Sequence, residues 1–214
     1  ARRTWAFFET FVGAEDNHLP PDNVQLHPVA RVAHRTSPTN IGFSLLANLT
    51  AHDSGFITLD QMLTRIAATV TTLEQLERHR GHFYNWYDTQ SLLPLAPRYI
   101  STVDSGNLVA QLMTLRMALL ALPAEAPFSP HWCLGLADLL ALVRESLPAG
   151  AHLPALDRAD KLVLAACADM PVSAPRLQAA LETFEQAARE LLAAVEAALS
   201  GDAARNDTDA TQDS

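Results

Sequence analysis

The sequence predicts an all-α protein of antiparallel helical hairpins, and three observations carry that prediction. Apolar residues recur at helical spacing, as in Met62, Ile66, Val70 and Leu73. Helix-start chemistry repeats along the chain: Thr58 and Gln61 have capping-box spacing, and Ser101 or Thr102 precedes Asp104. Some connections are very short, which sets neighbouring helices antiparallel. A four-helix bundle, an α-solenoid and an α/α toroid are all open on this pattern.

The elements follow in order. The first helix is expected over Thr4 to Val12, with Trp5, Phe8, Phe11 and Val12 on one face. Asp16 to Pro38 is a long polar loop punctuated by Pro20, Pro21, Pro28 and Pro38, and its Val, Leu and His content favours an ordered loop. "SPTNIGFSLLANLTAHDSG" reads as the second helix, capped by Thr39 or Asn40 and ended by Gly55. The third starts at Thr58 after a very short turn and stops at Gly81. His82 to Ile100 carries rings and prolines without helical periodicity, so an extended or hairpin-like excursion is expected. The fourth helix starts at Ser101 or Thr102 and ends at Pro123, with Asp104 in the first turn, where the helix dipole favours a carboxylate. Further helices are expected at about His131–Ser146, Ala155–Ala168 and Ala174–Leu199, divided by Pro130, Pro148, Pro154, Pro171 and Pro175. Residues 201–214 read as a disordered acidic tail or linker.

Charge narrows the partners. A net charge of -9 with one lysine, Lys161, argues against nucleic acid, which calls for clustered Lys and Arg. The charged fraction of 18% is low for a freestanding fold. Cys133 and Cys167 lie in apolar helical contexts and read as two buried thiols, which fits a reducing compartment. No apolar run approaches the ~18 residues needed to cross a bilayer, and "LVLAACA" reads as a core helix. The opening "ARRTWAFFETFV" lacks an initiator Met and a signal-peptide pattern, as in a piece of a longer protein. His18, His27, His34, His79 and His82 lack zinc-site spacing, and no Gly-rich phosphate loop is present. Neither metal nor cofactor is expected.

Three polar clusters share one expected placement, immediately before or in the first turn of an apolar helix. They are "AHRTSPTN" (Ala33 to Asn40), "GHFYNWYD" (Gly81 to Asp88) and "STVDSGN" (Ser101 to Asn107). Helix N-termini offer unpaired N–H groups to oxygen-rich ligands. Rings that stack on the C–H face of a sugar, beside Asp, Asn, Arg and His that bind hydroxyls, suit carbohydrate. Each cluster also has a plainer explanation as helix caps and core rings.

The residues carry a family resemblance. "RRTWAFFETFV", "HLPPDNVQ", "VAHRTSPTNIGFSLL", "RGHFYNWYDTQSLLPL" and "YISTVDSGNL" resemble the central glycosidase-like region of cyclic β-1,2-glucan synthases, from about Arg2 to Leu122. A fainter similarity reaches endo-β-1,2-glucanases. The resemblance implies an (α/α)6 toroid, of which residues 1–200 would form about the first half. It implies a large bacterial parent in the inner membrane, facing the cytoplasm, whose central domain closes a β-1,2-glucan ring by transglycosylation. It also implies glucan contacts at His34, Arg35, Thr36, Ser37 and Asn40; at His82, Tyr84, Asn85, Trp86 and Asp88; and at Ser101, Thr102, Asp104 and Asn107. Partners implied are β-1,2-glucan and the remaining domains of the parent, with no membrane span in this segment.

Retaining transglycosylation needs two carboxyl groups about 5–5.5 Å apart. The family motifs in which that pair is expected do not occur before Ser214, and Glu145, Glu182, Glu185, Glu190 and Glu196 sit in solvated helical patterns. No catalytic residue is therefore assigned, and the chain alone is expected to be silent. With its apolar inner faces unpaired, it is also expected to be marginal or self-associating. A hydrolase fragment of endo-β-1,2-glucanase or glucoamylase type, and a non-catalytic helical interaction module, are the alternatives.

Overall fold

The computed structural model describes residues 1–124, 131–147, 152–169 and 173–212, and divides the chain into two units, Ala1–Glu125 and Ala126–Ser214. The expected dividing prolines 130, 148 and 171 lie outside the described residues. Helices dominate both units, as the sequence pattern predicts.

The first unit holds α1 (Arg2–Phe11), α2 (Pro38–Asp53), α3 (Leu59–Gln75) and α4 (Thr102–Ala121). Local chemistry sets where each begins. Ser37 caps α2, its Oγ accepting from the Asn40 N–H at 3.2 Å, and Pro38 occupies the first turn, where a missing N–H costs nothing. This corrects the expected cap at Thr39 or Asn40, and it frees the Thr39 hydroxyl for a tertiary contact. Gly55, at φ +69°, follows the end of α2. Thr58 and Gln61 form the expected reciprocal box at the start of α3. Ser101 caps α4 through the Asp104 N–H at 3.1 Å.

Two-residue strands fill the segments between helices. They are β1 (Val24–Gln25), β2 (Arg31–Val32), β3 (Arg35–Thr36), β4 (Arg78–His79), β5 (His82–Phe83) and β6 (Tyr87–Asp88). They pair antiparallel as β1 with β2, β3 with β6 and β4 with β5. Gly81 does not stop α3, as expected from its sequence; α3 ends at Gln75. Arg80 and Gly81, both at positive φ, instead make the two-residue turn between β4 and β5, a geometry that matches strand twist.

α2 and α4 run parallel, because Thr39 meets Asp104 and Asn107 near their starts while Gly42 meets Gln111 further along. α3 lies antiparallel to α2 through the short turn. Gly42 permits the close crossing: a Cβ there would lie 1.7 Å from Gln111 Oε1 and 3.0 Å from Gln111 Cβ. Leu19, Ile41, Leu45, Met62, Ile66, Leu73, Leu76, Tyr87 and Leu115 form the buried core. Arg65 fastens α1 to it, donating to Asn48 Oδ1 at 2.9 Å and to the Phe8 carbonyl at 2.8 Å with its guanidinium over Trp5.

Among the described residues, Thr102–Ala124 is long and apolar enough to cross a membrane by length and composition. That corrects the expectation that no segment qualifies: Gln111, Thr114 and Arg116 interrupt the apolar run without offsetting it. One side of α4 packs through Leu108, Gln111 and Leu115, while Val109, Met113, Met117 and Leu120 stay exposed.

The second unit holds α5 (His131–Ser146), α6 (Pro154–Ala168) and α7 (Ala174–Gln212). Leu140, Ala155, Leu156, Ala159, Val163 and Leu191 are its buried cluster. Trp132 meets Phe184 edge-on at 5.5 Å, and Arg158 pairs with Glu190 at 3.0 Å. Cys133 is buried, and burial with the adjoining Cys167 thiol pushes it up to about 12. Cys167 itself is exposed, contrary to expectation, because it sits at the end of α6 past the packed residues. α7 runs through 201–212, where composition predicts a disordered tail.

Two outcomes follow from the packing of the first unit. Gly42→Ala must displace the Gln111 side chain and is expected to lower unfolding free energy by about 1–3 kcal/mol in denaturant titration. Tyr87 is fully buried, its hydroxyl donating to the Glu77 carbonyl and accepting from the Tyr84 N–H, each at 2.7 Å. Burial pushes its phenol up to about 12 from 10.0. In that window the folded state keeps a proton that the unfolded chain has released, so stability falls as pH rises from about 10 to about 12. Tyr87→Phe should remove the late phenolate absorbance step and cost about 1–3 kcal/mol near neutrality.

Candidate functional site

The β3–β6 pairing joins the first and second polar clusters. Its register places Arg35 opposite Asp88 and Thr36 opposite Tyr87. Strand alternation then sorts the residues. Thr36 and Tyr87 are buried, while Arg35 stays half-exposed with its guanidinium 4.9 Å from the centre of the Trp86 ring. Asp22 holds that guanidinium through Nε (3.2 Å) and Nη2 (2.9 Å), and its other oxygen accepts from Asn40 Nδ2 at 3.3 Å.

Asp104 brings in the third cluster. Its Oδ1 accepts from the Thr39 hydroxyl at 2.6 Å, and Asn107 Nδ2 donates to that hydroxyl at 3.1 Å. Asn85 is satisfied with its amide nitrogen toward Asp104 Oδ2 at 2.9 Å. Its amide oxygen then accepts from Trp86 Nε1 at 2.9 Å and from the Tyr99 hydroxyl at 2.7 Å. A continuous chain of contacts thus runs Asp22–Arg35–Trp86–Asn85–Asp104–Thr39–Asn107. It spans the starts of α2 and α4 and the aromatic segment between α3 and α4.

The arrangement has the anatomy of a polar shelf with aromatic walls. Each carboxylate oxygen of Asp104 has capacity for a second hydrogen bond, and Arg35, Asn107 and Tyr99 face solvent. Such a surface can bind a hydroxylated ring by its edge and its face.

Six of the predicted site residues meet here: Arg35, Asn40, Asn85, Trp86, Asp104 and Asn107. The others do different work in the fold. His34 Nδ1 lies 2.8 Å from the buried Asp16 carboxylate, which also accepts from Thr89 Oγ1 at 2.5 Å. Ser37 and Ser101 are helix caps, and Thr102 is exposed in the first turn of α4. Thr36 is sealed beneath β3. Asp88 Oδ1 accepts from the Ser91 N–H (2.7 Å), Ser91 Oγ (2.9 Å) and Gln90 N–H (3.0 Å), closing its own turn. The Ser91 N–H chiefly holds that carboxyl below its ordinary range. Tyr84 packs edge-on to Tyr87 at 6.4 Å, and His82 sits exposed in the β4–β5 ribbon.

Three participants escape sequence reasoning. Thr39 is obscured by its neighbourhood of capping residues. Asp22 lies in the proline-rich loop with no periodicity to flag it. Tyr99 is a single ring after a proline segment, and although it opens the motif "YISTVDSGNL" it is not among the contacts which that motif implies.

No protein-family model matches the chain. Over 150 residues, 69% of the chain, it is 45% identical to the cyclic beta-(1,2)-glucan synthase NdvB of Rhizobium meliloti (strain 1021), and the match spans 5% of that protein's length. Among solved structures, a Bacteroides fragilis NCTC 9343 protein described as a glucoamylase overlays 52% of this chain and 28% of its own, at TM-score 0.44 and 20% identity. A Bacteroides caccae ATCC 43185 protein of the same description overlays 78% and 34%, at TM-score 0.37 and 19% identity. The resemblance carried by the motifs is borne out in sequence: this chain is similar, over 69% of its length, to one stretch of a cyclic β-(1,2)-glucan synthase.

Proposed function

We propose that this chain contributes part of the ring-closing transglycosylase domain of a cyclic β-1,2-glucan synthase, and that the shelf around Asp104 binds β-1,2-glucan. The observation that carries the proposal is the convergence of Arg35, Trp86, Asn85 and Asp104 in one network. The 45% identity to a synthase of that description supports the substrate class. The parallel packing of α2 and α4, with α3 antiparallel beside them, is the order that a ring of paired inner and outer helices would repeat, and it supports an (α/α)6 toroid as the complete domain. The parent would lie in the bacterial inner membrane with this domain facing the cytoplasm.

In this proposal the chain's residues bind and orient glucan and do not cleave it. Arg35, pinned by Asp22 and Trp86, meets a sugar hydroxyl in a fixed orientation, so little side-chain entropy is lost on binding. Asp104 and Asn107, both near the start of α4, accept from and donate to sugar hydroxyls. The acid/base and nucleophilic carboxyls would come from elsewhere in the domain, about 5–5.5 Å apart across the bond being exchanged. The isolated chain would then hold glucan without closing it.

Calorimetric titration with linear β-1,2-glucan tests this, with an α-1,4-linked glucan as control. Wild type is expected to bind the first and not the second. Trp86→Ala and Asp104→Asn, shown folded by circular dichroism, are expected to bind at least about tenfold more weakly, or ~1.4 kcal/mol. A wild-type chain indifferent to β-1,2-glucan would favour the helical interaction module, in which the clusters serve only as caps.

A further inference from the structure

We propose that Tyr99 is a sugar-stacking residue of this site, presenting its ring face to the C–H face of a pyranose. The inference rests on the glucan-binding function proposed above and gives a role to the residue that opens the motif "YISTVDSGNL" but is not among its implied glucan contacts.

Exposure and fixation coincide at Tyr99. Tyr99 is 46% exposed, and the ring of an exposed residue is ordinarily free to rotate because little packs against it. Here it is tied at two points to one residue. Its hydroxyl donates to the Asn85 amide oxygen at 2.7 Å, and its carbonyl accepts from the Asn85 N–H at 2.9 Å. The ordering cost of a stacking platform is therefore met before any ligand arrives.

Trp86 is the weaker platform. Arg35 covers one of its faces at 4.9 Å, and its Nε1 is committed to the same Asn85 oxygen that holds Tyr99. The two rings meet through their polar atoms at that oxygen, while the amide nitrogen reaches Asp104 at 2.9 Å. Tyr99 thus stands beside the carboxylate that would hold a hydroxyl of the same sugar. Because its own hydroxyl is occupied by Asn85, the ring would act by its face and not as a donor to the ligand. A pyranose with equatorial substituents offers the flat C–H surface that such a face stacks on.

Calorimetry on the whole chain with linear β-1,2-glucan separates the outcomes. Binding by Tyr99→Phe within about threefold of wild type, with Tyr99→Ala and Tyr99→Leu each about tenfold weaker, supports stacking. Tyr99→Leu keeps bulk and apolarity without the π face. If wild type binds and Asp104→Asn weakens binding while Tyr99→Ala and Tyr99→Leu bind like wild type, this inference falls and the site stands. If Tyr99→Phe is as weak as Tyr99→Ala, the hydroxyl anchor matters and not the face, which also overturns it. Wild type that binds no β-1,2-glucan removes the site and Tyr99 with it.

Discussion

The Asp104 carboxylate is the constraint on which the candidate site depends. It sits in the first turn of α4, where unpaired N–H groups and the helix dipole favour negative charge. From there one oxygen receives Thr39 of α2 and the other receives Asn85 of the aromatic segment. Three stretches far apart in sequence are thus fixed around one anion. Charge-assisted hydrogen bonds are stronger and shorter than neutral ones, which suits a junction open on one side to water. Without it, Asn85 loses its partner, and the hold on Trp86 and Tyr99 loosens.

The fold prepares this junction by letting α2 and α4 lie close. Gly42 supplies the clearance against Gln111, and the crossing aligns the two helix starts at one end. Tyr87 then pins the aromatic segment from below, its hydroxyl between the Glu77 carbonyl and the Tyr84 N–H. The β3–β6 register follows: with Thr36 and Tyr87 turned into the core, Arg35 is turned outward toward Trp86. Core packing and site geometry are consequently the same problem here. A change in the buried half of the ribbon is felt in the exposed half.

Much of this was legible in the sequence, and the exceptions have physical causes. Helix starts written in local chemistry, such as Thr58 with Gln61 and Ser101 with Asp104, could be read because capping joins residues three apart. The three polar clusters stood out by composition. The cap of α2 is ambiguous in the sequence because Ser37, Thr39 and Asn40 are all good caps, and Pro38 in the first helical turn decides among them. Gly81 read as a helix stop because positive φ serves helix ends and strand turns alike. Asp88, implied as a glucan contact, closes its own turn by accepting from the Ser91 N–H, which composition alone does not announce. Asp22, Thr39 and Tyr99 act through tertiary contacts, which no local pattern encodes. Strands of two residues carry no periodicity, so the pairing that unites the clusters was invisible.

A double-mutant cycle between Asn85 and Asp104, measured as unfolding free energy for Asn85→Ala, Asp104→Ala and the pair, reads the junction most directly. Convergence of the aromatic segment on the helix start predicts a coupling of about 0.5–3 kcal/mol. Effects that add to within about 0.3–0.5 kcal/mol would mean the two residues act independently, and the site would lose its common centre.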